Sequence, residues 1–372
     1  MKYVDEFRDP RRAQSLVREI HGRVSRRWTL MEVCGGQTHG LLRYGIAEEL
    51  ADAVELIHGP GCPVCVTSLA AIDLAIELAC RAGTIVASFG DMLRVPGSRG
   101  SLADARSAGA AVRMVYSPLD AIEIARRNPT EQVVFFAVGF ETTAPATAVA
   151  VQQAKELDLQ NFSLLVSHVR VLPAMESLLQ QPDARIDGFL AAGHVCTITG
   201  YEPYDKLADQ YRVPVVVTGF EPVDLLAGIL ECVSLLESRS FEVKNCYSRS
   251  VCRDGNQAAR KLMDEVYEII DCDWRGLGML LQGGLRLRPE WRHFDATFRF
   301  GGCSLPVIET PECQGGLVLS GRLKPHECPS FGGACTPDRP LGAPMVSSEG
   351  ACAAYYRYRG APIDATLNAV SD

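Results

Sequence analysis

Four cysteines close to the C-terminal end have a spacing that could bind a metal. Cys313, Cys328, Cys335 and Cys352 follow the pattern C-x14-C-x6-C-x16-C in a stretch rich in glycine and proline. This composition places the thiols on loops, and four converging thiolates suit Zn²⁺ or an iron-sulfur cluster. The set lacks the close cysteine pairs of structural zinc sites and does not match ferredoxin spacings either. It predicts a metal centre and favours a 4Fe-4S cluster, with unrelated buried thiols as the alternative.

A second motif lies far upstream, where Cys62 and Cys65 form a C-x-x-C in the segment GPGCPVC. The motif precedes a predicted helix that begins near Thr67. At the start of a helix, a C-x-x-C lowers the pKa of one thiol and permits a reversible disulfide. The two thiols could also form half of a zinc site or pack in the core, but the chain has no second C-x-x-C. We therefore favour a redox pair.

Cys34 is the third candidate, because it precedes Gly35 and Gly36 at the predicted start of a helix. Free amides at a helix start favour the thiolate, and the glycine step lets the backbone approach another group closely. His39, five residues further on, could share a ligand site with Cys34 or exchange a proton with it. The alternative is a buried cysteine beside a capping Thr38.

Other polar residues at predicted strand ends are weaker candidates. Glu141 and Glu221 each follow a Gly-Phe step and could serve as acid, base or hydrogen-bonding groups, or simply as helix caps. His168 and His194 end strands, where a histidine is as often structural as functional. Cys80, Cys232 and Cys272 are predicted to pack in the core, and no role is assigned to Cys196, Cys246, Cys252 and Cys303.

Composition excludes several classes of function. With 372 residues, 47% of them hydrophobic, the chain can bury two or three domains. A net charge of −8 argues against nucleic acid, because neutralising phosphates requires a basic stripe. The charged N-terminus carries no secretion signal, and acids interrupt the longest apolar stretch, Val213–Leu236. We therefore predict a cytoplasmic protein without a membrane segment, whose cysteines are not a disulfide framework.

Known nucleotide and radical motifs are missing from the chain. It has no G-x-x-x-x-G-K-[ST] and no G-x-G-x-x-G after a strand, so neither a P-loop nor a simple dinucleotide site is indicated. The C-x3-C-x2-C pattern of radical-SAM enzymes does not occur either.

The pattern of apolar residues predicts an α/β fold. Continuous apolar runs alternate with amphipathic stretches of helical period, as in parallel sheets covered by helices on both faces. The predicted strands are Val54–His58, Thr84–Phe89, Val112–Tyr116, Gln132–Phe140, Ser163–Val169, Ile186–Ala191 and Val213–Phe220. The predicted helices are Thr67–Arg81, Leu119–Arg127, Thr143–Leu157, Leu172–Gln180, Tyr204–Gln210 and Pro222–Leu236. Past about Asp271 the period disappears, which predicts a loop-rich C-terminal region.

The strands are too many for one small sheet, so we predict two lobes with mainly parallel sheets around a central cleft. Most of the unusual segments follow strands, where open parallel sheets bind their ligands, and one shared cleft would collect them. The predicted divisions are an N-terminal helical segment (1–29), lobe I with the CGGQTH and GPGCPVC motifs (30–117), lobe II (118–250) and a C-terminal 4Fe-4S region (251–372). Residues 213–250 could cross back to lobe I.

Six segments jointly resemble the HypD family of hydrogenase maturation factors, and they extend from about Met31 to Tyr356. They are MEVCGGQTH, HGPGCPVCVT, VGFETTAP, SHVRVLP, TGFEPVDLL and PHECPSFGGACTPDRPLGAPMVSSEGACAAYY. The resemblance implies two α/β lobes around a cleft and a 4Fe-4S cluster. It also implies a scaffold on which the Fe(CN)2CO moiety of nickel-iron hydrogenases is assembled before transfer to the hydrogenase large subunit. The implied partners are a HypC-type chaperone and HypE, which with HypF supplies cyanide.

Carried over by position, the resemblance gives each cysteine group a role. Cys34 would be the thiolate that holds the iron, shared with the N-terminal cysteine of HypC, and His39 would lie beside it. Cys62 and Cys65 would be the redox pair, and the four C-terminal cysteines the cluster ligands. Many relatives read CGGHTH where this chain has Gln37, so an imidazole at that position would be dispensable here. We hypothesise an assembly scaffold, rather than a conventional enzyme, in which electrons pass from the cluster through the pair to the iron.

Two other functions explain part of the pattern. A thiol-disulfide oxidoreductase with a structural iron-sulfur cluster would use Cys62 and Cys65 but leave CGGQTH without a purpose. A transferase with Cys34 as its nucleophile and His39 as its base would leave the cluster without a role.

Overall fold

The computed structural model describes residues 5–304 and 306–358 and shows a mixed α/β fold with two parallel sheets. The strands are β1 (Trp28–Glu32), β2 (Val54–His58), β3 (Thr84–Ser88), β4 (Val112–Met114), β5 (Gln132–Gly139), β6 (Phe162–His168), β7 (Gly188–Ala192), β8 (Val215–Thr218), β9 (Val243–Asn245), β10 (Tyr267–Trp274) and β11 (Gly278–Leu287).

Helices lie between most of the strands of both sheets. They are α1 (Pro10–Arg23), α2 (Gly35–Arg43), α3 (Ile46–Glu49), α4 (Pro63–Val66), α5 (Leu69–Ala79), α6 (Leu102–Ser107), α7 (Pro118–Arg127), α8 (Ala144–Glu156), α9 (Val171–Leu179), α10 (Gly193–Thr199), α11 (Tyr204–Tyr211), α12 (Pro222–Glu237), α13 (Gln257–Val266), α14 (Ala296–Phe300), α15 (Gly315–Leu319), α16 (Ala343–Val346) and α17 (Ala351–Tyr358). Short 3₁₀ helices cover Asp5–Phe7, Gly90–Arg94, Pro289–Phe294 and Pro325–Glu327.

The chain visits one sheet, then the other, and then returns. The five-stranded sheet has the order β2-β1-β7-β8-β9, and the four-stranded sheet has the order β4-β3-β5-β6. The pairings in both sheets are parallel. The return with β7 beside β1 brings segments some 160 residues apart to the same carboxyl edge. The antiparallel hairpin β10–β11 packs on β6 and α9.

Apolar strands and helices on both faces build the core of each sheet. Residues 133–139 of β5 are buried, so this strand contacts protein on both sides. Phe135 belongs to one core cluster together with Ala148 of α8, and Phe136 belongs to another together with Ile72 of α5. Full burial of one such side chain stabilises the fold by roughly 1.5–3 kcal/mol. The alternation of adjacent phenylalanines follows from the two-residue period of a strand.

The predicted α/β class is confirmed, and every predicted strand and helix has a counterpart with ends shifted by a few residues. The hairpin was not predicted and lies partly in the region expected to be loops. Tyr267, Trp274, Leu280 and Leu285 are buried on one face, but acidic residues and a bulge between Ile270 and Cys272 obscure the alternation. The short strands β1 and β9 were missed as well.

The sheet to which a strand belongs does not define where a domain begins or ends. The four predicted domain ranges therefore stay a prediction. The strands β3 and β4, which precede residue 117, share a sheet with β5 and β6, which follow it. The strands β8 and β9 lie in the same sheet as β1 and β2, on the side to which residues 213–250 could cross. Within the described residues, we find no helix that is both long and apolar enough to cross a membrane.

Candidate functional site

The loop that carries Cys34 lies at the carboxyl edge of the five-stranded sheet. β1 ends at Glu32 and α2 begins at Gly35, so Cys34 occupies the turn between them in extended conformation. The amide of Gly35 donates to the carbonyl oxygen of Gly61 at 3.1 Å. A Cβ atom on Gly61 would overlap the backbone of Cys34, so only glycine permits this approach. The CGGQTH and GPGCPVC loops therefore pack directly against each other.

His194 is the histidine that lies against the sulfur of Cys34. The Sγ atom is 3.6 Å from Nδ1 and 3.9 Å from Nε2 of this ring. The ring belongs to the first turn of α10 and stacks on Phe220, with ring centroids 5.3 Å apart. Burial lowers the pKa of His194, which favours the neutral imidazole. A neutral ring can accept the proton of the thiol.

Burial also dominates the thiol of Cys34. It raises the pKa of Cys34, and the backbone amides of Gln37 and Gly36 oppose this shift only in part. The acidic side chains of Glu32 and Glu349 raise the pKa further. The amides at the helix start favour the thiolate, as predicted, but the loss of solvation outweighs them. A soft metal ion would bind by displacing this proton.

His39 points to the C-terminal segment. Its Nδ1 lies 3.2 Å from the hydroxyl of Tyr358, and its Nε2 hydrogen-bonds with the carbonyl oxygen of Ser348. The ring packs edge-on against Tyr358. These contacts give His39 a position at the junction of α2 and α17, and its predicted role beside Cys34 stays a prediction.

Gln37 connects the same helix to the sheet. Its Nε2 donates to the carbonyl oxygen of Ala191 at 3.1 Å and to the hydroxyl of Thr218 at 2.7 Å. These acceptors lie at the ends of β7 and β8, so the amide fixes α2 over two strand ends. The Oε1 atom is buried and has no hydrogen-bond partner within the residues described.

A fully buried carboxyl group organises the base of the site. Glu32 accepts hydrogen bonds from the amide of Cys34 at 2.8 Å, the hydroxyl of Thr38 at 2.5 Å and Nδ1 of His58 at 2.7 Å. The Nε2 atom of His58 lies 3.0 Å from the hydroxyl of Tyr355 in α17. A continuous hydrogen-bonded chain thus extends from the backbone of Cys34 to the helix that carries the last cysteine.

Cys62 and Cys65 form a disulfide at the start of α4. Both residues are buried, and the Sγ atom of Cys62 accepts a hydrogen bond from the amide of Cys65 at 3.2 Å. The two thiols are therefore close enough to be a dithiol-disulfide couple, which is the pairing that the motif favoured. Their use in redox chemistry stays a prediction.

The four C-terminal cysteines line one small cavity. Cys352 belongs to α17, and Cys313, Cys328 and Cys335 lie in the preceding turns and loops. Burial raises the pKa of Cys352, and the charges of the other three thiols raise it further. Across residues 5–304 and 306–358, no three histidine, cysteine or acidic side chains converge as a single metal ion would require. Four soft donors around one cavity are the ligand type of an iron-sulfur cluster and of zinc.

A second cavity connects the disulfide with the four cysteines. It has a volume of about 60 Å³ and is lined by Cys65 and Cys313, together with Arg275, Gly315 and Pro344. Cys313, Gly315 and Pro344 also line the cavity of the four cysteines. The disulfide and the four cysteines therefore border two adjoining cavities, although some 250 residues separate Cys65 from Cys313 along the chain.

The predicted acids act as structural partners in this structure. Glu141 is buried and accepts the amide of Val171 at 3.1 Å, which satisfies the first turn of α9, and burial raises its pKa. Glu221 precedes α12 and pairs with Arg8 at 2.5 Å. A catalytic role for Glu141 stays a prediction. Cys80, expected in the core, is exposed.

Sequence reasoning missed Glu32 and Tyr355 and did not predict the contact of His194 with Cys34. Glu32 belongs to β1, a strand that was not predicted, and Tyr355 follows Cys352 by three residues on α17. His194 was considered only as a strand-end histidine. The spacing of one face of a helix could have placed Tyr355 near Cys352, but the contact of His194 with Cys34 depends on the order of the strands.

Comparison with known proteins agrees with this arrangement of motifs. The sequence model of the family HypD, described as "Hydrogenase formation hypA family", matches residues 11–359. The hydrogenase maturation factor HypD of Escherichia coli is 45% identical, over 96% of this chain and 98% of its own. Those of Rhodobacter capsulatus and Azotobacter vinelandii are each 47% identical, over 97% and 96% of this chain and 99% and 97% of their own. The chain belongs to the HypD family of hydrogenase maturation factors.

Proposed function

We propose that this chain is the scaffold on which the Fe(CN)2CO moiety of nickel-iron hydrogenases is assembled before it reaches the hydrogenase large subunit. One observation supports the proposal: the three segments that carry the cysteine groups pack next to one another. The loop of Cys34 packs on the C-x-x-C loop, and Cys65 and Cys313 line one cavity. The names of the curated relatives support a role in hydrogenase maturation.

Cys34 is the residue that binds the iron substrate. Its thiol must lose a proton to become a ligand, which the binding metal displaces, and the neutral ring of His194 lies 3.6 Å from the sulfur. Burial of the sulfur excludes water from the metal fragment. The hydrogen bond from the amide of Cys34 to the carboxyl group of Glu32 holds the loop in place. A soft thiolate is a suitable ligand for iron that carries cyanide and carbon monoxide.

The four C-terminal cysteines fit a 4Fe-4S cluster, because four soft donors line a single cavity. When bound, such a cluster would supply electrons one at a time. Cys313 lines both this cavity and the one that reaches Cys65, so it joins the donor set to the disulfide. Cys62 and Cys65 would store two electrons as a dithiol close to Cys34.

The proposed partners are those that the resemblance to the family implies. A HypC-type chaperone shares the iron with Cys34 through its N-terminal cysteine, in the cleft between the two lobes. HypE, with HypF, donates the cyanide. We place this assembly in the cytoplasm, as the composition of the chain predicts.

Infrared spectra of the protein purified anaerobically with HypC test the scaffold. The native complex is expected to show cyanide and carbonyl stretching bands, which Cys34→Ala abolishes. Cys80→Ala removes an exposed cysteine that lines neither of the two cavities described above and is the matched control. Replacement of both Cys62 and Cys65 by Ser is expected to prevent assembly of the ligated iron, while iron and acid-labile sulfide at the four cysteines stay unchanged.

Persistent bands in Cys34→Ala would contradict the proposal. Turnover of a dithiol substrate without these bands would instead support a thiol-disulfide oxidoreductase with a structural cluster. The disulfide between Cys62 and Cys65 is the observation that favours the oxidoreductase as a second candidate function.

A further inference from the structure

The turn between β10 and β11 inserts an arginine between two groups of sulfur atoms. The amide of Arg275, in this turn, donates to the carbonyl oxygen of Val66 at 2.9 Å, next to Cys65. On the other side Gly276, with a φ of +81°, packs against Gly316 of α15 so closely that neither residue could carry a Cβ. The tip of the hairpin is therefore fixed between the C-x-x-C helix and the helix that follows Cys313.

Arg275 lines the cavity of about 60 Å³ together with Cys65 and Cys313. Its Nη1 donates to the carbonyl oxygen of Pro96 at 2.9 Å. In the part of the chain that the structure describes, no carboxylate lies within 4.0 Å of this group. The negative groups that act on it from further away are Cys313, Glu309 and Asp73.

A half-buried cation without a close anion is costly, because the protein does not replace the solvation that it has lost. Loss of solvation lowers the pKa of Arg275, although an arginine stays charged at neutral pH. An anion that forms beside the guanidinium of Arg275 during the reaction would compensate for this lost solvation. Reduction of the disulfide creates a thiolate at the wall of this same cavity, where Cys313 also lies.

We infer that Arg275 is the positioning counter-charge for the Cys62–Cys65 couple and raises its reduction potential. In the reaction the disulfide accepts two electrons, its S–S bond breaks, one sulfur takes a proton from solvent and the other stays a thiolate beside the guanidinium. A dithiol supplies the electrons in the test below. This inference rests on the redox role proposed above for Cys62 and Cys65.

The test measures the equilibrium of this couple in the full-length chain. The anaerobic protein is equilibrated from both directions in dithiothreitol buffers of graded potential, quenched in acid and alkylated. Mass spectrometry of the peptide with residues 62 and 65 then gives the reduced fraction. Because this readout follows two cysteines and no iron, it can fail while the infrared bands persist, and it can succeed when they are missing.

Arg275→Gln is expected to shift the equilibrium about tenfold toward the disulfide, or ~30 mV lower. Arg275→Lys retains the charge and should stay within about threefold of the native value. Arg299→Gln removes another partly buried arginine, bound to the carbonyl oxygen of Phe162, and should leave the couple unchanged. A potential of Arg275→Gln within about twofold of the native one, or Arg275→Lys equal to Arg275→Gln, would overturn the inference.

A second variant keeps the inference testable if Arg275→Gln does not fold. Glu309 is exposed and lines the same cavity, so Glu309→Gln removes a negative charge with little risk to the fold. It is expected to shift the equilibrium in the opposite direction, about threefold toward the dithiol. No shift in this variant would mean that the charges at the cavity do not act on the couple.

Discussion

Two buried histidines end parallel strands in the two sheets, and their surroundings differ completely. His58 ends β2 and makes hydrogen bonds at both ring nitrogens, with Glu32 and with Tyr355. His168 ends β6 and contacts the hydroxyl of Thr147 at 3.2 Å through Nε2. Its Nδ1 faces the backbone of Gly139 without the geometry of a hydrogen bond.

The residue opposite on the neighbouring strand accounts for this difference. In the register of the first sheet, Glu32 pairs with His58, whereas Gly139 pairs with His168 in the second. A carboxyl group satisfies one imidazole and also holds the amide of Cys34, while a glycine leaves the other imidazole as a neutral core residue. The position of a histidine at the end of a strand therefore does not indicate its function unless the residue opposite it on the neighbouring strand is also known.

Replacement of the carboxyl group should give the largest effect. Glu32→Gln exchanges an acceptor of three hydrogen bonds for an amide whose NH₂ group must face a donor. We expect a loss of about 4 kcal/mol in the free energy of unfolding, since one partner of a buried network is lost. Urea denaturation measures it, with the exposed Glu156→Gln as a control near zero. A loss below about 1 kcal/mol would mean that His58 is no better satisfied than His168.

The second prediction concerns pH and the other histidine. Burial lowers the pKa of His168 from 6.5 to about 4, partly opposed by the backbone of Gly139. Between these values the unfolded chain binds a proton that the folded chain does not bind, so stability falls as the pH drops from 6.5 to 4 and this contribution then levels off. We expect roughly 2–3 kcal/mol from this residue, measured as the urea midpoint against pH.

A matched pair of variants isolates this contribution. His168→Asn removes the titrating group, so the slope between pH 6.5 and 4 should become shallower. His21→Gln removes an exposed histidine and should leave the slope as it is. Equal slopes for the native protein and His168→Asn would show that the ring is solvated or paired, and the contrast with His58 would disappear.

Local signals in the sequence predicted most of the parallel strands, because runs such as residues 132–139 are apolar on both faces. They could not predict the pairing of Glu32 with His58, since β1 combines Trp28 and Thr29 with a short apolar run and a terminal acid and was not predicted as a strand. The contact of Cys34 with His194 depends on β7 lying beside β1, which is a property of the sheet order. Cysteine spacing indicated a shared site, but only the fold places the four thiols around one cavity.

The smallest expected effect concerns Tyr355, at the end of the hydrogen-bonded network of Glu32 and His58. Tyr355→Phe removes the hydroxyl that lies 3.0 Å from Nε2 of His58 and leaves that nitrogen unpaired. We expect a loss of about 1 kcal/mol in the free energy of unfolding, the usual contribution of one neutral hydrogen bond. Tyr356→Phe is the matched control, because the neighbouring tyrosine is 43% exposed and should be close to neutral.

A double-mutant cycle shows whether this end is connected to the carboxyl group. If Glu32, His58 and Tyr355 act as one network, Glu32→Gln combined with Tyr355→Phe should cost less than the two separate losses together, by about 0.5–1 kcal/mol. Once Glu32 is replaced, His58 is already displaced or wrongly paired, so its bond to the hydroxyl has less to lose. Strictly additive losses would instead mean that α17 contacts His58 without influence on the loop of Cys34, and that the two buried histidines differ only locally.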